Sequence, residues 1–175
     1  MKTGLVHIYT GNGKGKTTSS VGLAVRALSH GLNVCYSYFN KNPEKYGNTE
    51  IESLKKLGAK VIACTNGHPS FDKSITKEDH KIQTQKGIET LDKLIHTEQF
   101  DLLIMDEILI SVRDGFITEN CLIEFVKNKP NSLELVLTGR GATNKLIELA
   151  DYVSEIKEIK HPMNKGVTSR KGIEF

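Results

Sequence analysis

Nine residues, Thr10-Gly11-Asn12-Gly13-Lys14-Gly15-Lys16-Thr17-Thr18, constrain this chain more than any other stretch. They follow a short β-prone run, Leu5-Val6-His7-Ile8-Tyr9. They precede a segment from Thr17 to His30 in which Val21, Ala24, Val25 and Leu28 recur at helical spacing, with Gly31 as its stop. A glycine loop joining a strand to a helix can turn several backbone N–H groups toward one anion, and the helix N-terminus adds partial positive charge. The Gly15-Lys16-Thr17 end matches the phosphate-loop pattern G-x-x-x-x-G-K-[ST]. Thr10 stands where its first glycine would be, with Gly11 and Gly13 supplying flexibility beside it. In such a loop Lys16 reaches terminal phosphate oxygens and the Thr17 hydroxyl ligates magnesium. The expected ligand is a nucleoside triphosphate, ATP with Mg2+, held by Gly11, Asn12, Gly13, Lys14, Gly15, Lys16, Thr17 and Thr18.

The rest of the chain alternates between the same two kinds of element. Asn33–Phe39, Lys60–Thr65, Asp101–Met105, Leu133–Leu137 and Tyr152–Ile156 read as strands. Ile51–Leu57, Lys77–Thr97, Glu119–Lys127 and Asn144–Leu149 read as helices, and in the longest Ile82, Ile88, Leu91 and Ile95 form the apolar stripe. The polar stretch from Asn40 to Asn48 and the stretch from Asn66 to Ile75 read as loops. The continuous apolar run at Asp101–Met105 marks a strand buried on both faces. Strand–helix alternation predicts an α/β fold: a P-loop NTPase-like three-layer α/β/α arrangement with a mostly parallel central sheet. Ligands of such folds sit at the carboxyl ends of the strands. With 175 residues and no repeat, linker or low-complexity tract, one domain over residues 1–175 is expected.

Three further positions fall at strand ends. Asp106-Glu107 follows the buried run, where an acid can hold magnesium directly or through water. Arg140, in Thr138-Gly139-Arg140-Gly141, follows the next central strand, where a guanidinium can pair with phosphate. Arg26 lies on the first helix, where a solvated face is nearly as good a reading. His68 and His80 lack ligand spacing and read as solvated. Cys35, Cys64 and Cys121 are far apart and odd in number, so buried reduced thiols are expected rather than a disulfide framework or zinc site. The net charge of +3 is too mild to argue for nucleic acid, and no basic stripe interleaves with aromatics. No stretch approaches the roughly 20 apolar residues of a membrane span, and the N-terminus lacks the order of a signal peptide. A cytoplasmic protein is expected.

Taken in order, the pieces resemble the ATP:corrinoid adenosyltransferase family. The resemblance rests on Tyr9 to Thr18, on Leu103-Ile104-Met105-Asp106-Glu107 followed by Leu137-Thr138-Gly139-Arg140-Gly141, and on the tail. The tail is Ala150-Asp151-Tyr152-Val153-Ser154-Glu155, Lys160-His161-Pro162, Lys165-Gly166-Val167 and Gly172-Ile173-Glu174-Phe175. The resemblance implies transfer of the 5′-deoxyadenosyl group of ATP to Co(I) of a corrinoid, with release of triphosphate. It implies that Asn12 to Thr18 hold the triphosphate, that Thr17 and Glu107 bind magnesium, that Arg26 and Arg140 support the nucleotide, and that His161 lies near the nucleoside. It also implies a homodimer, a flavoprotein reductant, nucleotide held in reversed orientation on the loop, and a corrinoid-facing segment in which this chain offers His68 and Phe71.

That chemistry needs no side-chain nucleophile. Co(I) attacks the ribose 5′-carbon, and the protein orients the reactants and neutralises the growing charge of the leaving group. Lys16 and Arg140 are the expected catalytic residues. Two other readings of the same loop stand beside this one: an ATP-binding regulatory or chaperone-like relative without corrinoid activity, and a small-molecule kinase that would release ADP.

Overall fold

The computed structural model describes residues 3–47 and 49–174. Six strands form one sheet: β1 (Val6–Thr10), β2 (Val34–Tyr38), β3 (Lys60–Ala63), β4 (Leu102–Asp106), β5 (Glu134–Thr138) and β6 (Tyr152–Glu155). Their order is β3-β2-β4-β5-β1-β6, and every pair is parallel. The expected three-layer α/β arrangement is present, with the sheet wholly rather than mostly parallel among the described residues. β5 separates β4 from β1, so Asp106 and the glycine loop lie two strands apart.

Side chains alternate across the sheet, and each face has its own core. On one face Val34, Tyr36, Tyr38, Leu102, Ile104 and Val136 pack against α1 (Lys16–Ser29) and α3 (Glu50–Lys56) through Ala24, Ala27, Ile51 and Leu54. On the other, Cys35, Leu103, Met105, Leu135 and Leu137 meet α4 (Lys77–Thr97), α5 (Ile108–Arg113), α6 (Glu119–Asn128) and α7 (Asn144–Leu149). β2, β4 and β5 lie in the middle of the sheet, and their apolar runs serve both cores.

Several expectations shift. The Asn40 to Asn48 stretch contains a one-turn helix, α2 (Pro43–Tyr46), whose N-cap Asn42 accepts from Lys45 N at 3.1 Å; Asn48 lies outside the described residues. α5 begins directly after β4, where no helix was expected. The stripe of α4 runs His80, Thr84, Ile88, Leu91, Ile95, whereas Ile82 is exposed. His80 and His68 are therefore buried, not solvated, because both pack around Phe116, with ring centroids 4.3 and 5.4 Å away. Val25 also leaves its expected stripe and is exposed, while Ser20 takes a buried place on α1. Cys35 and Cys64 are buried free thiols, while Cys121 is only half-buried. No helix among the described residues is long and apolar enough to cross a membrane.

α4 approaches β3 closely at one point. A Cβ added to Gly87 would lie 2.7 Å from Cys64 Cβ. Alanine is the better helix former by about 1 kcal/mol, but overpacking a closed core costs about 1–3 kcal/mol. Gly87→Ala should therefore lower stability in urea denaturation, against the direction that helix propensity alone would give.

Candidate active site

The glycine loop leaves β1 and enters α1 as expected, and the backbone explains why its glycines are needed. Gly15 is the N-cap of α1 at φ 125°, a conformation that disfavours any side chain, and the space a Cβ would fill is open. No side chain caps this helix end and no acid lies in its first turn. The first N–H groups of a 14-residue helix thus face the cavity with their partial positive charge. Gly11 and Gly13 serve a different contact. Gly13 N donates to Ile156 O at 2.7 Å, and a Cβ at Gly11 would lie 2.5 Å from the same oxygen. The segment after β6 therefore straps the loop, and only glycines allow the backbones so close. Lys16 Nζ donates to Gly11 O and Gly13 O at 2.8 and 2.7 Å, drawing the loop around its own ammonium.

Behind the loop lies a fully buried carboxylate. Thr17 Oγ1 donates to both oxygens of Asp106, at 3.1 and 3.2 Å. Thr138 Oγ1 donates to Oδ1 at 2.6 Å and Tyr36 Oη to Oδ2 at 2.9 Å. Lys41 Nζ lies 2.6 Å from Oδ2 and donates to Glu50 at 3.1 Å. Burial opposes the Asp106 charge, but Lys41, Thr138 and Tyr36 more than offset it and hold the pKa below the ordinary value. Burial likewise opposes the Lys41 charge, and Asp106, Glu107 and Glu50 outweigh it.

Glu107 is built differently. Its backbone is left-handed, at φ 65°, and its N–H donates to Thr138 Oγ1 at 2.9 Å. Its carboxylate lines the cavity and accepts no hydrogen bond among the described residues. Burial, and then the neighbouring Asp106 charge, raise its pKa well above the carboxylate range toward neutrality. Lys16 is lowered by burial and by Arg140. The Glu107 carboxylate and the cations Lys16 and Arg140 thus line one cavity, each shifted by burial or by its charged neighbours.

The cavity has a volume of about 670 Å³. Asn12, Gly13, Lys14, Gly15, Lys16, Thr17 and Thr18 form one wall, and Glu107, Arg140 and His161 also line it. Arg140 is exposed, with one guanidinium nitrogen 3.4 Å from Asn12 O. His161 Nδ1 accepts from Met163 N at 3.2 Å and opens a single 3-10 turn, Pro162–Lys165. Three expected residues do not line the cavity. Gly11 lies under the strap, Asp106 behind Thr17, and Arg26 in the last turn of α1, exposed and near Tyr9 rather than the loop. The tail residues Ser169, Gly172, Ile173 and Glu174 close the far side, where Glu174 is held by Arg170; Phe175 lies outside the described residues.

The oxygen donors fit a hard divalent cation. Thr17 Oγ1 and the free Glu107 carboxylate share the cavity with room for phosphate oxygens, the ligand set that magnesium takes with nucleotides. Asp106 already receives four side chains and acts through Thr17. No three His, Cys, Asp or Glu side chains converge into a metal cluster among the described residues.

Sequence reasoning did not single out Lys41, Tyr36 or Asn40, and it quoted Gly172, Ile173 and Glu174 only as carriers of the family resemblance, with no place in the cavity. Lys41 was within reach of it, because it follows β2 as Asp106 ends β4, at the same edge of a parallel sheet. His80, buried beneath this edge, donates from Nε2 to Asn40 Oδ1 at 2.8 Å; burial and then His68 lower its pKa to about 4, so its ring is neutral.

The family model described as ATP:corrinoid adenosyltransferase BtuR/CobO/CobP matches residues 2–175. The chain is 33% identical over 173 residues to the corrinoid adenosyltransferase of Sinorhizobium sp, covering 98% of this chain and 80% of that one. It is 28% identical over 172 residues to the corrinoid adenosyltransferase of Escherichia coli strain K12, covering 98% and 86%. The corrinoid adenosyltransferase CobA of Salmonella typhimurium stands at the same 28%, with the same coverage.

Removing one member of a buried ion pair leaves the other uncompensated, at a cost of about 3–5 kcal/mol. Lys41→Met should therefore destabilise the fold by about 3 kcal/mol in urea denaturation near pH 7. Without Lys41 the folded-state pKa of Asp106 rises, so the penalty is present where Asp106 is ionised. The gap from wild type should narrow as pH falls through the raised folded-state pKa of Asp106 in the variant, and narrow further below about 4, where wild type loses the stability its lowered Asp106 pKa supplies.

Proposed function

This chain belongs to the ATP:corrinoid adenosyltransferase family, and we propose that it transfers the 5′-deoxyadenosyl group of ATP to Co(I) of a corrinoid, releasing triphosphate. The observation that carries the reading is the convergence of the loop, Glu107, Arg140 and His161 on one cavity at the carboxyl edge of the sheet. The cavity is lined by three lysines, Lys14, Lys16 and Lys41, and one arginine, Arg140, with no nucleophile–base pair among its lining side chains. That suits a reaction whose nucleophile arrives with the substrate.

In this reading the α1 N-terminus and the backbone of residues 12–18 bind the triphosphate. Lys16 gives up its two loop carbonyls for phosphate oxygens. Thr17 and Glu107 hold magnesium, which when bound screens the phosphate charge. Co(I) donates an electron pair to the ribose 5′-carbon to form the Co–C bond, the C5′–O bond breaks with its own pair leaving on triphosphate, and cobalt ends as alkylated Co(III). The leaving group gains negative charge as the bond breaks. Lys16 and Arg140, fixed before the event, stabilise that charge more than they stabilise the ground state. His161 and Met163 stand on the tail side of the cavity, where the nucleoside would be received. Family membership further supports a homodimer and a flavoprotein that reduces the cobalt.

With ATP, magnesium and chemically reduced corrinoid, the protein should yield a cobalt–carbon product and triphosphate in equal amounts. Formation of ADP, or no adenosylated corrinoid above the protein-free control, would refute the proposal. Lys16→Ala should reduce turnover by about 10²-fold or more, as expected for loss of a donor to developing charge.

The raised pKa of Glu107 gives a second test. A proton competes with the metal for this carboxylate, so magnesium-dependent enhancement of ATP affinity should fall as pH drops from 8 to 6. In calorimetric titrations Glu107→Gln should show little enhancement at either pH. An equally steep pH dependence in that variant would place the titrating group elsewhere.

A further inference from the structure

Two residues other than glycine hold a left-handed backbone among the described residues: Asn40 at φ 60° and Glu107 at φ 65°. Side chains with a Cβ resist this conformation, and it persists where the surroundings over-determine it. The two lie just beyond the carboxyl ends of neighbouring strands, β2 and β4, which are in register at Tyr38 and Asp106. They are joined directly. Asn40 Nδ2 donates to Glu107 O at 3.1 Å and lies 3.3 Å from Ser111 Oγ on α5. Asn40 is itself held by its backbone N–H, which donates to Thr65 Oγ1 at 2.7 Å.

The orientation of the Asn40 amide is held from behind. Glu107 O can only accept, so the NH2 group faces it and Oδ1 faces His80 Nε2 at 2.8 Å, where the Nε2–H tautomer donates and holds the amide in place. His80 Nδ1 is left buried without a partner. Its ring is enclosed by Phe116 and His68. A buried imidazole that satisfies one nitrogen and leaves the other bare carries a cost, and its single hydrogen bond is spent on Asn40. Along this path from α4 to the sheet edge, the only member that lines the cavity is Glu107.

We propose that Asn40 and His80 are positioning residues for the Glu107 carboxylate: the Asn40 amide clamps the Glu107 carbonyl and holds its left-handed turn, and His80 locks the amide in the orientation that allows the clamp. The inference rests on the reading of Glu107 as a magnesium ligand. A carboxylate on a clamped turn meets the cation without first being ordered, and supports of this kind tune metal affinity from outside the ligand set.

Three variants separate the roles. Asn40→Gly keeps the left-handed backbone at no steric cost and deletes the amide. His80→Phe keeps an aromatic ring and deletes the donor, and His80→Gln restores one. ATP affinity is measured calorimetrically with EDTA and with saturating Mg2+, and Mn2+ binding to the protein–ATP complex is followed by electron paramagnetic resonance. Metal-free ATP affinity should stay near wild type in all three. The gain in affinity on adding metal should fall by about tenfold in Asn40→Gly and His80→Phe and recover in His80→Gln. Loss of the gain in Glu107→Gln together with its full retention in Asn40→Gly and His80→Phe would overturn the inference alone. Retention of the gain in Glu107→Gln would overturn the metal assignment and the inference with it. An equal loss of metal-free and metal-dependent affinity in Asn40→Gly, or its failure to fold by circular dichroism, would make Asn40 a scaffold residue and refute its part. The His80→Phe and His80→Gln pair would then decide the rest.

Discussion

The Asp106 carboxylate is the point on which the site is assembled. It is wholly buried, and a carboxylate so placed is tolerable only when its oxygens are fully met. The four partners that meet it come from three separate elements or their ends. Tyr36 is on β2, Lys41 follows β2, Thr138 ends β5, and Thr17 is in the first turn of α1. Satisfying one charge therefore fixes the helix that carries the phosphate loop against three strands of the sheet. It also sets the Thr17 hydroxyl and, through Thr138, the backbone of Glu107. Such a network is valuable when complete and expensive when any member is missing.

The division of labour between the two adjacent acids follows from geometry. Asp106 points to the α1 side of the sheet, where it is enclosed. Glu107 leaves the strand through a left-handed turn that carries its carboxylate to the cavity. Two identical charges side by side would repel, and enclosure of one by Lys41 leaves the other as the group that remains unsatisfied and available.

Much of this was legible in the residues, and the exceptions have physical causes. Strand–loop–helix order, the glycine spacing and the apolar run of β4 are local signals, and each element they marked is present. α5 was invisible because six residues beside a strand are too short to show a period. His80 was misread because residue type outweighed its position: it falls on the apolar stripe of α4, where a polar residue is hidden among hydrophobic intervals. Its partner, Asn40, lies in another loop, and nothing local announces that contact. Lys41 falls in the polar stretch that reads as a loop, and only the sheet order brings the end of β2 beside that of β4. The loop and Arg140 share the cavity because parallel strands deliver their ends to one edge, whereas His161 was pointed to by the family resemblance alone. Arg26 belongs to the far end of its helix, ten residues from Lys16 and so about 15 Å along the axis.

The strap between Gly13 and Ile156 has a consequence for how the molecule comes into being. The loop belongs to β1, made early, while the backbone that cradles it follows β6, made late. Contacts of such sequence separation close slowly, after the central strands have condensed. During synthesis the sheet can begin to order before its cavity is complete. A nascent chain ending before β6 would have its glycine loop and Lys16 but lack the backbone against which Gly11 and Gly13 are fitted. The loop thereby takes its final shape only after the segment that follows β6 has emerged.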